Sequence, residues 1–383
     1  MPEQIPFITY PYEWSFDQLR DAALLTLEVQ SRALAHGLTL KDASAYNVQF
    51  RGATPVFIDT LSFERDSGGP WRAYEQFCRH FLGPLLLMRF GLADAARYLK
   101  ADLDGFDVGS VSRLLPMRSY LKPGVVLHIH LHGRAARAQT SADVPRPGGR
   151  VAVGRIVASL RRTIERLPAP RFGGEWSDYY AERRFYPPGA LESKRKAVRE
   201  LTGEVRPGLV FDLGANTGLF AREAADLGAL CIALEGDPAC VNRLYLEERG
   251  QPQQRILPLV MDLANPSPAL GFDLRSTMSL FDRPRADLVL CLALLHHLRV
   301  RGNLPFTLIA AFLARLGRWA LVEYVPFTDP AVRTLTSRVN DFADYTLPGF
   351  FDAFLGSYHL RATRPIQGTD RVLYLFEARS CAT

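Results

Sequence analysis

Several features that would narrow the function are missing from this 383-residue chain. No run of about 18 apolar residues occurs, so no membrane-spanning helix is expected. The opening Met1-Pro2-Glu3-Gln4-Ile5-Pro6 has neither the basic flank nor the apolar stretch of a secretory leader. Cysteine is scarce, with five residues (78, 231, 240, 291, 381) and no C-x-x-C pair. That scarcity argues for reduced thiols and a cytoplasmic protein. Lysine is equally rare: five of the 46 basic residues are lysine, leaving 41 arginines. The net charge of +6 would suit nucleic acid or an acidic substrate. No basic stripe interleaves with aromatics as single-strand binders require, however, so a nucleic-acid partner is not expected. At 48% apolar and 22% charged, the composition is that of an ordinary globular protein long enough for two domains.

What is present centres on Gly208-Leu-Val-Phe-Asp-Leu-Gly-Ala-Asn-Thr-Gly218. Leu209, Val210 and Phe211 form an apolar run with strand chemistry, ending at Asp212. The chain then turns through Gly214, Asn216 and Gly218 into a helix beginning at Leu219. Such a turn lets a ligand lie against bare backbone at the carboxyl edge of a parallel sheet. The dinucleotide fingerprint G-x-G-x-x-G is absent, because Asn216 stands where its second glycine belongs. Further strands are predicted at Ala229–Leu234, Ile256–Met261, Asp287–Leu292 and Trp319–Tyr324, the first two stopping at Glu235 and Asp262. A carboxylate about 20 residues past the loop can accept both hydroxyls of a ribose. Asp237, just before Pro238, reads instead as a helix cap. Asp287 begins its strand, away from the ligand edge, and is assigned no chemistry.

The pattern D-x-G-x-N-x-G resembles motif I of the class I S-adenosylmethionine (SAM) methyltransferases. Ala293-Leu-Leu-His-His-Leu298 resembles the stretch that follows strand four in many small-molecule members. The resemblance implies an α/β fold with a seven-stranded Rossmann-like sheet, SAM as cofactor and S-adenosylhomocysteine (SAH) as product. It further implies that Asp212, Gly214, Asn216 and Gly218 receive the amino-acid end and Glu235 the ribose. Asp262 would take the adenine amino group, while Leu263 packs on the ring. The runs His359–Arg364 and Arg371–Glu377 then match the final antiparallel strand pair of that sheet. Tyr179 and Tyr180, in an aromatic segment ahead of the first strand, either close over the cofactor or pack the next helix on the sheet.

SAM's methyl carbon is already electrophilic, so the enzyme chiefly aligns a nucleophile, with a base needed only for an acceptor that holds its proton. His296 is the candidate base or acceptor orienter, since imidazole titrates near neutral pH. His297 and Glu323 lie at the same sheet edge; Glu323 is positioned to bind an acceptor hydroxyl or amine. The motif I acid is not followed by an N-P-P-Y loop, which disfavours methylation of amide or nucleobase nitrogen and favours oxygen. The expected acceptor is a small metabolite or a carbohydrate or lipid precursor, and no metal is called for. Insertions 265–285 and 324–350 are candidate acceptor-site walls. A SAM-binding module without transfer, a protein or RNA acceptor, and a kinase-related phosphotransferase centred on Asp42 and Asp59 are the alternatives.

The N-terminal part reads as a mostly helical domain over 1–132, followed by a proline- and glycine-rich linker at 133–150 and by connecting and cofactor-covering helices over 151–207. The methyltransferase domain follows at 208–383. Ser15 caps a predicted helix running to His36, with Gly37 closing it. Asp42, Asn47 and Asp59, with a short hairpin between the last two, are spaced as in the catalytic segment of protein kinases and aminoglycoside phosphotransferases. Only 41 residues precede Asp42, too few for an ATP-covering lobe. The expected role is therefore to order a loop through side-chain-to-backbone bonds, without Mg-ATP binding. Pro70 to Lys100 is aromatic and helical, with two helices or a kink expected at Gly83-Pro84. Its aromatic stripe suits a core better than a substrate pocket. His128, His130 and His132 would share one face of a strand, as a polar face or, with partners the sequence lacks, metal ligands. Tyr10-Pro-Tyr-Glu-Trp14, Leu40–Asn47 and Phe57–Phe63 extend the resemblance through nearly the full chain, to the NoeA-like nodulation methyltransferases.

Overall fold

The structure, a computed structural model, describes residues 4–134, 149–170, 187–336 and 342–379. The chain divides into two compact units, Met1–Gly173 and Gly174–Thr383.

In the first unit a long helix, Phe16–Ala35, is capped by Ser15, whose backbone N–H donates to the Gln18 side chain. Its buried face (Leu19, Ala22, Ala23, Leu27, Leu34) recurs at helical spacing. Two small antiparallel pairs follow: β1 (Leu38–Leu40) with β4 (Phe63–Arg65), and β2 (Val48–Arg51) with β3 (Thr54–Phe57). The aromatic stretch is a helical run in three pieces, Tyr74–Phe77, a π turn Cys78–Leu82, and Gly83–Phe90. The interruption expected at Gly83-Pro84 is this π turn, which ends at Leu82, and the second α-helix starts at Gly83. The wide turn just upstream accommodates a proline that has no N–H to give. Phe77, Phe81, Leu85 and Met88 are buried, so the stripe is core.

The three histidines lie on a helical π turn, Val126–Leu131, and its continuation, not on a strand. On a helix His130 therefore turns away from the other two. His128 bonds the Tyr74 hydroxyl and Ser159, and His130 bonds Ser112 and Ser119 while its ring stacks on Tyr120. His132 stacks on Tyr74. Among the described residues no group of three or more His, Cys, Asp or Glu is arranged to hold a metal ion.

The kinase-like triplet is committed to loop structure. Asp42 accepts from the Ser44 N–H, Asp59 from the Leu61 N–H and the Ser62 hydroxyl, and Asn47 donates to that same hydroxyl. The segment read as one connecting stretch, 151–207, is split between the units. The helix Arg150–Glu165 packs on Phe16–Ala35, whereas Ala190–Val205 packs on the second unit's sheet and first βα helix.

The second unit holds one seven-stranded sheet. Its strands are β5 (Leu209–Leu213), β6 (Leu230–Glu235), β7 (Ile256–Val260), β8 (Ala286–Cys291), β9 (Gly317–Tyr324), β10 (Tyr358–Pro365) and β11 (Val372–Ala378). The five strands β5 to β9 run parallel, and β11 lies antiparallel between β9 and β10. This is the sheet the class I methyltransferase resemblance predicts. Their near-continuous apolar sequences follow from burial on both faces. One face packs Val210, Leu288, Leu290 and Leu321 under Val198, Leu201, Phe220, Ala221 and Ala224. Against the antiparallel strands the helix Leu347–Ser357 sets Phe350 and Phe354 among Phe306, Tyr324, Tyr374 and Phe376. Parallel strands joined by helices bring the β5, β6, β7 and β8 carboxyl ends to one edge, where an open α/β sheet places its ligand.

Candidate active site

The edge is built around the turn after β5. Gly214 and Gly218 take φ of +69° and +82°, and a Cβ on Gly218 would stand 2.5 Å from Leu244 Cδ1. Only glycine meets both demands, because the helix Pro238–Glu248 must pack close beneath the loop. Asn216 adopts φ +51°, and its side-chain oxygen accepts from the Thr217 N–H at 2.7 Å. Asparagine tolerates this left-handed geometry better than most side-chain-bearing residues. Its own N–H donates to Glu235 Oε2 at 2.8 Å, while the Asp237 N–H donates to Oε1 at 2.9 Å. The loop is thus tied to the acid of the neighbouring strand, and that half-buried carboxylate keeps lone pairs for a diol. Asp237 caps its helix, accepting from the Ala239 N–H. At the end of β7, Asp262 is exposed and fixed by the Ala264 N–H at 3.0 Å, with Leu263 half-buried beside it.

Asp212 is different. It is 2% exposed, and its Oδ2 has no hydrogen-bond partner among the described residues. Burial pushes its carboxyl up to about 7, against the pull of the Lys194 ammonium and an N–H from Ala221. A buried carboxylate oxygen with nothing to accept from, beside a glycine loop, suits a ligand that brings a cationic donor.

His296 occupies the turn after β8, reached through Ala293 at φ +52°, a strained value for a residue with a Cβ. The ring is 1% exposed, and both of its nitrogens lack partners among the described residues. Burial first, then His297, Arg371 and Lys194, hold it well below the ordinary imidazole range. The neutral ring donates at one nitrogen and accepts at the other, but it does not store a proton near pH 7 as the sequence suggested. His297, its ring centroid 4.4 Å away, is likewise brought down to about 4 by burial and Arg301.

Glu323 is not open to an acceptor. It is fully buried, with Lys194 Nζ 2.6 Å from Oε2 and Arg371 Nη1 3.4 Å from Oε1. Arg371 also grips Asp329, at 2.8 and 3.0 Å, and Lys194 lies over the Phe220 ring at 4.6 Å. Lys194, Arg371 and Asp329 are not among the site residues that the sequence singles out. Lys194 left a signal: on its helix it shares the inward face of Ala197, Val198 and Leu201, an odd place for a lysine. Arg371 and Asp329 left none, because their meeting depends on strand pairing across 42 residues. Asp287, to which no chemistry was assigned, accepts from the N–H groups of Gly208 and Leu209. Tyr179 and Tyr180 lie outside the described residues.

No protein-family model matches the chain. The nodulation protein NoeA of Rhizobium meliloti (strain 1021) is 33% identical over 381 residues, covering 97% of this chain and 80% of that protein. Among solved structures, the N-methyltransferase NodS of Bradyrhizobium japonicum WM9 in complex with SAH matches 53% of this chain and 99% of its own, at 10% identity and a TM-score of 0.39. The magnesium protoporphyrin IX methyltransferase of Synechocystis PCC 6803 with bound SAH matches 52% and 94%, at 18% identity and a TM-score of 0.38. The identity to NoeA, sustained through both units, decides the relationship: the chain belongs to the family of the nodulation protein NoeA.

Proposed function

We propose that the protein is a SAM-dependent methyltransferase whose cofactor lies along the carboxyl edge of β5, β6 and β7. One observation carries the reading. Asp212, Glu235 and Asp262 stand at the ends of three adjacent parallel strands, and the glycine turn is bonded to the middle acid. The unpartnered Oδ2 of Asp212 suits the ammonium of the methionine end, Glu235 the ribose hydroxyls, and Asp262 with Leu263 the adenine.

When bound, SAM supplies an electrophilic methyl on a sulfonium, and the protein's part is alignment and exclusion of water. His296 sits at the same edge with one ring nitrogen able to accept from an acceptor O–H. The fields of Lys194 and Arg371 reach that ring and oppose a positive charge beside it. Both features favour a neutral acceptor over a charged one, and a hydroxyl is the neutral acceptor proposed. A small metabolite or a carbohydrate or lipid precursor is the acceptor class proposed. Calorimetric titration with SAH, followed by radiolabelled SAM in extracts and identification of the labelled product, tests the reading. It is abandoned if neither SAM nor SAH binds.

A further inference from the structure

Residues 108–134 of the first unit contain no Asp or Glu, yet they hold Arg113, Arg118, Lys122 and Arg134, all exposed. Through the same stretch run six large apolar side chains open to solvent. Met117 is 81% exposed, Leu121 83% and Leu114 68%, and Tyr120, Leu127 and Leu131 join them. A lone exposed leucine is ordinary, whereas a cluster of this kind marks a surface that a partner covers. We propose that this face docks on an anionic lipid surface, its apolar tips entering the acyl boundary while its cations meet the phosphates.

The cluster forms one surface because His130 ties its three segments together. Its Nδ1 bonds the Ser112 hydroxyl of the helix Val108–Leu114 at 2.8 Å, and its Nε2 bonds the Ser119 hydroxyl of the short turn Met117–Leu121 at 2.8 Å. The ring itself lies on Tyr120, with centroids 3.7 Å apart. Leu114 stands two residues beyond Ser112, and Met117 and Leu121 stand two residues to either side of Ser119. Leu127 and Leu131, on the π turn that carries His130, are four residues apart and share a helical face. The apolar tips are therefore displayed on a backbone that buried bonds hold in place.

The pairing of side chains selects the partner. Arg113 precedes Leu114, Arg118 follows Met117 and Lys122 follows Leu121, so each of the three most exposed tips has a cation next to it. At a lipid surface the two settle at different depths, the carbon chain inward and the charge at the level of the phosphates. A protein partner would have to desolvate those charges or match each of them, and interface cores are depleted in charge. The flanking acids are committed elsewhere: Asp107 caps its helix by accepting from the Ser110 N–H, and Glu75 lies 3.9 Å from His132 Nε2. Among the described residues no helix is long and apolar enough to cross a membrane, so the contact proposed is at the surface.

The test is co-sedimentation of the full-length protein with vesicles, made either of phosphatidylglycerol and phosphatidylcholine in equal parts or of phosphatidylcholine alone. The mixed vesicles are expected to bind the wild type at least about tenfold more tightly, since each cation near an anionic surface is worth about fivefold. Raising the salt from about 0.1 M to about 0.5 M should weaken that binding severalfold. Arg113→Gln with Lys122→Gln should lower the affinity about twenty-fivefold. Met117→Ser with Leu121→Ser should lower it at least about tenfold. All four side chains are exposed, so the melting temperature should stay within about 2 °C of the wild type in both variants. Equal binding to the two kinds of vesicle, or binding that neither variant weakens, overturns the inference. A wild type that binds no vesicle also overturns it; if that protein sediments as a dimer that Met117→Ser with Leu121→Ser dissociates, the face belongs instead to a second copy of the chain.

Discussion

Glu323→Gln separates the two roles open to the acid that ends β9. If Glu323 served an acceptor, the change would lower turnover and leave stability untouched. The structure predicts the reverse emphasis, because the carboxylate stands between two cations with no access to water. At an effective dielectric of about 20, the 2.6 Å contact alone is worth about 6 kcal/mol of attraction, set against several kcal/mol of desolvation for each ion. Removing the charge of one partner of a buried pair costs about 3–5 kcal/mol, because the cations stay behind. Arg371 keeps Asp329, so the lysine bears most of that loss. For a unit of this size each kcal/mol moves the melting temperature by about 2–4 °C, which places the variant about 6–20 °C below the wild type. Adding Lys194→Met should recover part of the loss, since the orphaned ammonium goes with it, and the double-mutant cycle reads the coupling directly. The assay is thermal unfolding by circular dichroism at neutral pH. A Glu323→Gln protein that melts within about 1 °C of the wild type would refute the reasoning.

Three further outcomes are expected. Gly218→Ala forces a side chain to φ +82° against Leu244, which costs about 1–2 kcal/mol in backbone strain before repacking; it should lower the melting temperature by several degrees and weaken SAH binding by calorimetry. His296→Ala should reduce methyl transfer at least about tenfold while the SAH dissociation constant stays within about twofold. Because that ring is neutral across physiological pH, the wild-type rate should show no limb attributable to it between about pH 6 and 8. Asp212→Asn should stabilise the cofactor-free protein above neutral pH and not below about pH 4. The wild-type acid is raised to about 7, so its contribution, full at low pH, disappears as pH climbs through 7, a difference of about 4 kcal/mol to be read from chemical denaturation at two pH values.

The sheet was legible because a parallel strand buried on both faces writes itself as a short apolar run, and the acid or glycine that stops it marks the ligand edge. Strand ends differ from the reading by about one residue, as at Leu209–Leu213 and Ala286–Cys291. The histidine run failed for a definable reason. Residues at i, i+2 and i+4 share a face on a strand, but i and i+4 also share one on a helix, with i+2 turned away. His128 and His132 do meet at Tyr74, while His130 faces Ser112 and Ser119. Period-two alternation over so few residues cannot separate the two geometries, and Pro123, at the start of the local helix, was the clue that decides between them.

The site shows the same limit from another side. Position along a strand told which acids lie at the ligand edge, and Asp212, Glu235, Asp262 and Glu323 are all there. What an acid does at that edge depends on which cation reaches it, and cations arrive from elements far away in sequence. Asp262 bonds its own turn, and Glu235 takes N–H groups from a loop 19 residues back and from the next turn. Glu323 instead receives Lys194 from the helix before β5 and Arg371 from the residue that precedes β11. That pairing turns a presumed ligand into a strut. The charge of the same lysine bears on Asp212 and on His296, so the acid proposed for the cofactor and the imidazole proposed for the acceptor share one buried source of charge. A substitution anywhere in the chain Lys194–Glu323–Arg371–Asp329 should therefore alter both ends of the site together, whereas changes at Glu235 or Asp262 should stay confined to the nucleoside.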